Sequence, residues 1–133
     1  MRILLDTHVA LWVLLQASAL TKSAREMLYS ADSVYFSVIS VWEVCLKHEI
    51  NPQNMAVPAG RFRQLCLDAG FVELPIESKH VLAVEDLKQK EGSHIHKDPF
   101  DRLLLAQAKA EELLFMTHDK KIQTFDTANI IAI

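Results

Sequence analysis

The sequence has few of the residues that mark disordered, fibrous or disulfide-bonded chains. Its 133 residues include only three glycines and four prolines, and no segment of low complexity occurs. Extended disorder and repetitive fibrous structure are therefore excluded. The two cysteines, Cys45 and Cys66, are too few for a disulfide framework. Both lie in apolar, helix-like stretches, where we expect buried free thiols.

Long hydrophobic runs are also absent. The longest apolar stretch, Val9 to Leu15, is far shorter than the roughly 20 residues of a membrane-spanning helix. Asp6 follows the first apolar residues directly, and no small-residue cleavage site comes after it. We therefore expect no signal peptide, no membrane association and a cytoplasmic location.

An excess of positive charge is missing as well. Lysine and arginine together number 14 and the acids number 17, which gives a formal net charge of −3. This balance excludes a protein that coats nucleic acid through a basic surface. It does not exclude a nuclease, because a bound cation can neutralise an acidic site and attract phosphate locally.

Short apolar runs alternate with longer amphipathic stretches along the chain. We predict strands at Arg2–Leu5, Val34–Ser37, Phe71–Leu74, Leu113–Thr117 and Ile130–Ile133. We predict helices at Thr7–Gln16, Lys22–Ser30, Ser40–Glu49, Ala59–Ala69, Ser78–Leu87, Asp98–Glu112 and Lys120–Phe125. Strands separated by helices pair in parallel, and continuous apolar strands fit a sheet that is covered on both faces. The expected fold is an α/β, three-layer α/β/α sandwich with a central parallel sheet of about five strands, in a single domain of residues 1–133.

Acidic residues follow several of these predicted strands. They are Asp6 after the first strand, Glu43 early in the next helix, Asp98 and Asp101 at the start of the long helix, and Asp119 just beyond Leu113–Thr117. Because parallel strands end at the same edge of a sheet, these side chains should converge there. Clustered carboxylates repel one another unless cations are present, so stability alone would not assemble them. Mg²⁺ takes oxygen ligands, and phosphodiester hydrolysis uses such ions to activate water.

Each acid also has a purely structural interpretation. Asp6 could cap the helix that follows it, and Asp119 could cap the helix predicted at Lys120–Phe125. The segment from Ser40 to Glu43 (SVWE) matches a capping box, in which Glu43 bonds back to the Ser40 amide. Asp98 before a proline is a natural N-cap, and Asp101 stands where a capping-box acid would.

Four motifs, in this order along the chain, resemble a known family. They are LLDTHVALW, SVISVWE, HKDPFDRLLLAQA and FMTHD. They resemble the PIN-domain nucleases and are most similar to the branch that supplies VapC-type toxins of bacterial type II toxin–antitoxin modules. The resemblance implies a compact parallel sheet, cleavage of single-stranded RNA that depends on Mg²⁺ or Mn²⁺, and a cognate antitoxin as partner.

The resemblance also implies which residues form the site. The family's acids fall on Asp6, Glu43, Asp101 and Asp119, with Asp98 as a further ligand, an outer-shell group or only the helix cap. Thr7 and Thr117 match the small hydroxyl residues beside the first and last acids, where they orient carboxylates or waters. The chain departs from the family's pattern after Glu49, where INPQNM replaces a Gly-Lys-Leu stretch, and at His118, which replaces a basic residue.

Basic residues lie near these acids in the sequence. Arg102 could bind phosphate, although we expect an ion pair with a nearby acid. Three lysines could steer RNA, or could simply be solvated surface residues; they are Lys97, Lys120 and Lys121. The pair His94 and His96 has the spacing of metal ligands, but it lies in a polar loop with no cysteine, so we do not expect a metal site there.

The first helix carries more apolar side chains than one face needs to pack on a sheet. They are Leu11, Trp12, Leu14 and Leu15. Together with the resemblance to VapC-type toxins, this excess implies a homodimer and a groove for an antitoxin segment. A basic side chain of that segment would reach the acids, because arginine can replace the charge of a metal.

Two other functions stay open. LLDT also opens Mg²⁺-dependent phosphatases of the haloacid-dehalogenase type, but those chains carry a second Asp two positions on, where this chain has His8. A catalytically silent PIN-like binding module would be expected to lose Asp6 or Glu43, and both are present. Phosphate-binding glycine loops and a G-x-S-x-G elbow are absent. The sequence therefore predicts a metal-dependent endoribonuclease that acts as a toxin.

Overall fold

Five parallel strands form one sheet in a computed structural model that describes residues 1–133. They are β1 (Arg2–Leu5), β2 (Ser33–Ser37), β3 (Val72–Leu74), β4 (Leu114–Thr117) and β5 (Ile130–Ala132). Their order across the sheet is β3-β2-β1-β4-β5, and every neighbouring pair is parallel. The predicted parallel sheet is confirmed.

Six helices connect the strands. They are α1 (Thr7–Leu14), α2 (Lys22–Ser30), α3 (Val38–Ile50), α4 (Ala59–Asp68), α5 (Ser78–Ala83) and α6 (Pro99–Ala110). A short 3₁₀ turn at Val84–Asp86 replaces the end of the helix predicted at Ser78–Leu87. A second one, at Ile122–Thr124, replaces the helix predicted at Lys120–Phe125. None of the helices combines the length and the apolar character that crossing a membrane requires.

The side chains of β1 alternate between two apolar cores, one on each face of the sheet. Ile3 and Leu5 pack with residues of α1, α2 and α4. Leu4 packs on the opposite face with residues of α6. All three are completely buried, as a strand covered on both faces requires. The three-layer α/β/α arrangement is therefore confirmed.

Local signals account for several helix ends. The Thr21 hydroxyl accepts the Ala24 N–H at 3.2 Å and caps α2 at the predicted residue. Gly70 follows α4 with φ of 85°, a left-handed conformation that glycine adopts without strain. Gln16 also takes a positive φ, of 52°, and α1 ends at Leu14, two residues before the predicted end.

The start of α3 differs from the sequence prediction. The helix begins at Val38, because the Ser37 hydroxyl accepts the Ile39 N–H at 3.0 Å and acts as the N-cap. Ser40 and Glu43 therefore lie inside the helix. The predicted capping box between them is wrong, and the Glu43 carboxylate contacts Thr7 and Lys47 instead.

The two cysteines have different environments. Cys66 lies in the core against the sheet, where burial raises the pKa of its thiol to about 12. Cys45 is exposed on α3, so the expected burial is right only for Cys66. Both are free thiols.

Candidate functional site

The strand order reverses between β1 and β4, and this point carries the acidic residues. Open parallel sheets bind ligands in the crevice outside the carboxyl ends of the strands at such a reversal. Asp6 follows β1 there, and Thr117 is the last residue of β4. The Thr117 hydroxyl donates to Asp6 Oδ2 at 2.7 Å and so connects the two strand ends.

Asp6 is a buried acid, only 4% exposed. Its Oδ1 accepts the Thr7 N–H at 2.7 Å, so the residue caps α1 while it faces the crevice. Burial raises the pKa of the Asp6 carboxyl; the Thr117 hydrogen bond opposes this rise, and the negative charge of Glu43 adds to it. The Asp6 carboxylate therefore lies where water is largely excluded and a second negative charge is close.

Glu43 reaches the same crevice from α3. It is 2% exposed, and its Oε1 accepts from the Thr7 hydroxyl at 2.7 Å. The Thr7 hydroxyl also lies 2.8 Å from Ser40 Oγ. The other Glu43 oxygen pairs with Lys47, one helical turn further along.

Lys47 is held among these acids. Burial lowers the pKa of its ammonium group, but the hydrogen bond and charge of Glu43, together with the charges of Asp98 and Asp101, outweigh burial and raise the pKa. Sequence reasoning missed Lys47, although an acid and a lysine four residues apart on a helix commonly pair.

Asp101 enters the crevice from the first turn of α6. Its side chain is 12% exposed, and its Oδ2 lies 2.8 Å from His96 Nε2. Asp101 therefore bonds to His96 and is not the acid of a capping box. Burial and the charge of Asp6, with smaller contributions from Asp98 and Glu43, raise the pKa of Asp101 to about 7, against the lowering effect of the His96 hydrogen bond.

Asp98 is the N-cap of α6, as its place before a proline predicted. Its Oδ1 accepts the N–H groups of Phe100 at 2.9 Å and of Asp101 at 3.1 Å. The cap fixes the first turn of the helix and hence the position of Asp101.

Asp119 lies beyond β4 on the same edge. Its N–H donates to Thr117 Oγ1 at 3.0 Å, and its Oδ1 accepts the Lys121 N–H at 2.8 Å. One carboxylate oxygen of Asp119, one of Asp101 and one ring nitrogen of His96 all lie within 4.8 Å of one another. The structure thus brings Asp119 to Asp101, and the Thr117 hydroxyl links it to Asp6.

Two basic residues differ from their sequence interpretation. The His94–His96 segment was not expected to join a metal site, yet the His96 side chain is only 8% exposed and points to Asp101. Arg102 forms no ion pair, and its buried Nε has no hydrogen-bond partner, so the expected ion pair is wrong. Successive helical residues point about 100° apart, so Arg102 does not share the direction of Asp101.

The donor set of the crevice fits a divalent cation. Asp6, Asp101 and Asp119 offer carboxylate oxygens, the ligands that Mg²⁺ and Mn²⁺ prefer, and none of the three pairs with a lysine or arginine. The raised pKa of Asp101 agrees with this donor set, because burial is its largest cause and the negative charge of Asp6 adds to it.

A polar pocket of about 520 Å³ adjoins the acids. Lys97, Lys120 and Lys121 line it, together with His94 and Thr124. Asp98 and His96 line it as well, so the basic pocket and the acidic crevice share a wall. Both signs of charge therefore lie side by side at the carboxyl edge of the sheet.

A second group of acids and histidine, on α5 and after α6, does not suit a metal. His80 Nδ1 accepts the Glu77 N–H at 3.0 Å, so the ring proton lies on Nε2, which donates to Glu111 Oε1 at 2.7 Å. Lys79 Nζ lies 3.0 Å from the same Glu111 oxygen. A cation could bind Nε2 only if the ring lost this proton too and became an imidazolate. The group therefore has a structural role: it caps α5 and joins α5 to the end of α6.

The fold and the crevice define an α/β/α domain with acidic side chains at the switch point of its parallel sheet. Residues 3–128 match the PIN domain family, and the chain belongs to this family. The resemblance inferred from the four motifs is confirmed. PIN domains are generally nucleases.

Solved structures share the fold over nearly the whole chain. The VapBC2 complex from Rickettsia felis, bound to a DNA fragment from its promoter, aligns over 99% of this chain and 98% of the matched chain, with 14% identity and a TM-score of 0.70. A toxin–antitoxin complex from Klebsiella pneumoniae aligns over 98% and 96%, with 15% identity and a TM-score of 0.61. FitAcB from Neisseria gonorrhoeae aligns over 90% and 89%, with 25% identity and a TM-score of 0.59. No curated protein matches the chain in sequence.

Proposed function

We propose that this protein is an endoribonuclease that depends on Mg²⁺ or Mn²⁺, cleaves single-stranded RNA and serves as the toxin of a type II toxin–antitoxin system. One observation carries the proposal. In a chain of a nuclease family, Thr117 joins Asp6 to the end of β4 at the switch point, where Asp101 and Asp119 also lie. Residues 1–133 would act as a single domain.

The roles of the residues follow from their contacts. Asp6, Glu43, Asp101 and Asp119 would hold one or two cations. When bound, the cation supplies Lewis-acid chemistry, which lowers the pKa of an attacking water and neutralises charge on the phosphate. Thr117 holds the Asp6 carboxylate, and Thr7 holds that of Glu43, each through a hydroxyl donor at 2.7 Å.

The lysine-lined pocket supports a nucleic acid as substrate. Its ammonium groups would bind the phosphates of one strand beside the acidic crevice, and phosphate contacts supply most of the affinity for a single strand. Asp98 would act through its cap of α6 and not as an obligatory ligand, because its Oδ1 is occupied by two backbone donors.

The decisive experiment measures cleavage of a labelled single-stranded RNA with Mg²⁺, with Mn²⁺ and with a chelator. We expect cleavage only with a divalent cation. Asp6→Asn keeps the shape of the side chain but removes its charge, and we expect the rate to fall at least ~10²-fold, the scale for loss of a charge-stabilising group.

Asp68→Asn is the matched control, because Asp68 lies exposed at the far end of α4. It should cleave like the wild type, and circular dichroism should show that both variants fold. Full activity of a folded Asp6→Asn protein would overturn the proposal. Hydrolysis of small phosphate monoesters without RNA cleavage would indicate a phosphatase, and no hydrolysis would indicate a binding module.

The partner proposal has separate support. The VapBC2 and Klebsiella structures are complexes in which a toxin meets its antitoxin. In this chain Leu15, just after α1, is 59% exposed and Trp12 is partly exposed, so an apolar surface is available for a second copy or an antitoxin segment. We expect a homodimer in sedimentation and a tight complex on co-expression with a small neighbouring antitoxin, both in the cytoplasm. A strict monomer that binds no partner would contradict this.

A further inference from the structure

His96 lies in the acidic crevice beside the carboxylates of Asp101 and Asp119. Its side chain is 8% exposed, and three contacts set its position. The His96 backbone N–H donates to Gln89 Oε1 at 2.9 Å. The imidazole ring packs edge-on against Phe125, with ring centroids 6.2 Å apart, and its Nε2 lies 2.8 Å from Asp101 Oδ2. The backbone hydrogen bond, the aromatic contact and the contact with Asp101 together fix the position of the ring.

The loop that carries His96 is itself anchored. The Gln89 side-chain amide donates to the His94 carbonyl and to Thr124 Oγ1, both at 2.8 Å. The Lys90 N–H donates to the Thr124 carbonyl at 2.7 Å. These bonds tie the loop to the segment after β4, so the ring is held in place before any ligand binds.

The spacing of donor atoms suits coordination. His96 Nε2 and one oxygen each from Asp101 and Asp119 lie within 4.8 Å of one another. Ligands at the roughly 2.1 Å distances of an octahedral cation are about 3 to 4.2 Å apart, so small side-chain shifts would complete the set. In the cation-free protein Nε2 lies 2.8 Å from Asp101 Oδ2, and a bound cation would take the place of this direct contact.

We propose that His96 is a direct nitrogen ligand of the divalent cation, together with Asp101 and Asp119, and that it makes this site favour Mn²⁺ over Mg²⁺. The proposal rests on the cation site of the proposed nuclease. Imidazole nitrogen is a better ligand for first-row transition ions than for Mg²⁺, whereas carboxylates and water serve both. A purely carboxylate crevice would lack this preference.

The experiment uses the whole chain, freed of metal with a chelator and titrated with Mn²⁺. Pulsed electron paramagnetic resonance should detect coupling between bound Mn²⁺ and a directly bound nitrogen. Labelling the histidines with the heavy nitrogen isotope should change that coupling in the unmutated protein. The coupling should disappear in His96→Gln and persist in His94→Gln, the matched control from the exposed position two residues earlier.

Calorimetry adds a second readout. We expect His96→Gln to weaken Mn²⁺ binding by about 10-fold or more while Mg²⁺ affinity changes less, and His94→Gln to change neither. Glutamine keeps a donor for Asp101. If His96 only orients Asp101, the wild type will show no nitrogen coupling, and His96→Gln will weaken the binding of Mn²⁺ and Mg²⁺ equally. Either result would overturn the proposal.

Failure of the nuclease function would look different. A histidine-nitrogen coupling in a protein that cleaves no RNA would leave the ligand assignment standing and remove the nuclease. Cleavage with Mn²⁺ but without nitrogen coupling would do the reverse. Should His96→Gln not fold, His96→Asn and the isotope-labelled wild type still decide the question.

Discussion

At Asp101 a buried carboxyl group lies among other acids, and its pKa is raised to about 7 from an ordinary value of 3.8. The folded protein therefore holds this proton more tightly than the unfolded chain does. The resulting stability is present below pH 3.8 and is lost as the pH rises through about 7. Without metal, the ionised carboxylate destabilises the fold at neutral and alkaline pH.

We predict that Asp101→Asn raises the melting temperature of the metal-free protein at pH ~8 by about 4 °C, equivalent to roughly 1 kcal/mol. The difference should shrink toward pH ~4, where the wild-type carboxyl is protonated in the folded state. Thermal melting in low salt with a chelator measures it, because screening would hide the repulsion. Destabilisation of Asp101→Asn by more than ~1 kcal/mol would instead make Asp101 a structural residue.

Thr117 has an equally specific role, since its buried hydroxyl serves Asp6 and Asp119 at once. Thr117→Val keeps the volume but leaves a buried carboxylate oxygen and a backbone N–H without their partner. We predict a loss of about 1–3 kcal/mol in urea denaturation, the usual cost of unsatisfied polar groups. Thr117→Ser should recover most of this loss. Equal stabilities for the valine and serine variants would contradict the role of the hydroxyl.

At the scale of elements, two acids in and before the first turn of α6 have different roles: Asp98 caps the helix, and Asp101 would bind the cation. Asp98 accepts two backbone N–H groups, and asparagine can accept them as well. We predict that Asp98→Asn keeps native stability and loses less than ~10-fold in RNA cleavage, whereas Asp98→Ala loses about 1 kcal/mol of stability. Chemical denaturation and the cleavage assay check both parts. A loss for Asp98→Asn as large as for Asp6→Asn would make Asp98 a metal ligand.

The helices also show which boundaries a sequence can predict. The α2 range was predicted residue for residue, because Thr21 caps an amphipathic stretch that is bounded on both sides. The start of α3 was missed because its cap, Ser37, is also the last residue of β2. A pattern that changes from strand to helix at a single residue contains no separate signal for the boundary.

At the scale of the whole molecule, a bound cation should stabilise the fold by joining the two halves of the sheet. It would bind Asp6 after β1, Asp101 on α6 and Asp119 after β4, and so offset their repulsion. We predict that millimolar Mg²⁺ or Mn²⁺ stabilises the wild type by about 1–3 kcal/mol at ~10–100 times the dissociation constant. Asp101→Asn should gain less, and Asp68→Asn should gain as much as the wild type. Equal gains for all three proteins in thermal melting would place the cation elsewhere.

The sequence by itself determined the alternation of strands and helices, the parallel sheet and the acids that follow its strands. These features depend on local periodicity, on caps such as Thr21 and Asp98, and on the rule that parallel strands end at one edge. The four motifs contain Asp6, Glu43, Asp101 and Asp119 together with Thr7 and Thr117.

Only the tertiary structure decided how those residues meet. Thr117 and Asp6 are 111 residues apart, and their hydrogen bond exists because β1 and β4 are neighbours at the point where the strand order reverses. The approach of His96 to Asp101 depends on a loop that Gln89 anchors to the segment after β4. Such contacts join surfaces that come from distant parts of the chain, and local sequence patterns do not encode the distance between them. The same packing removes water from the acids, and that burial sets the pKa of Asp101.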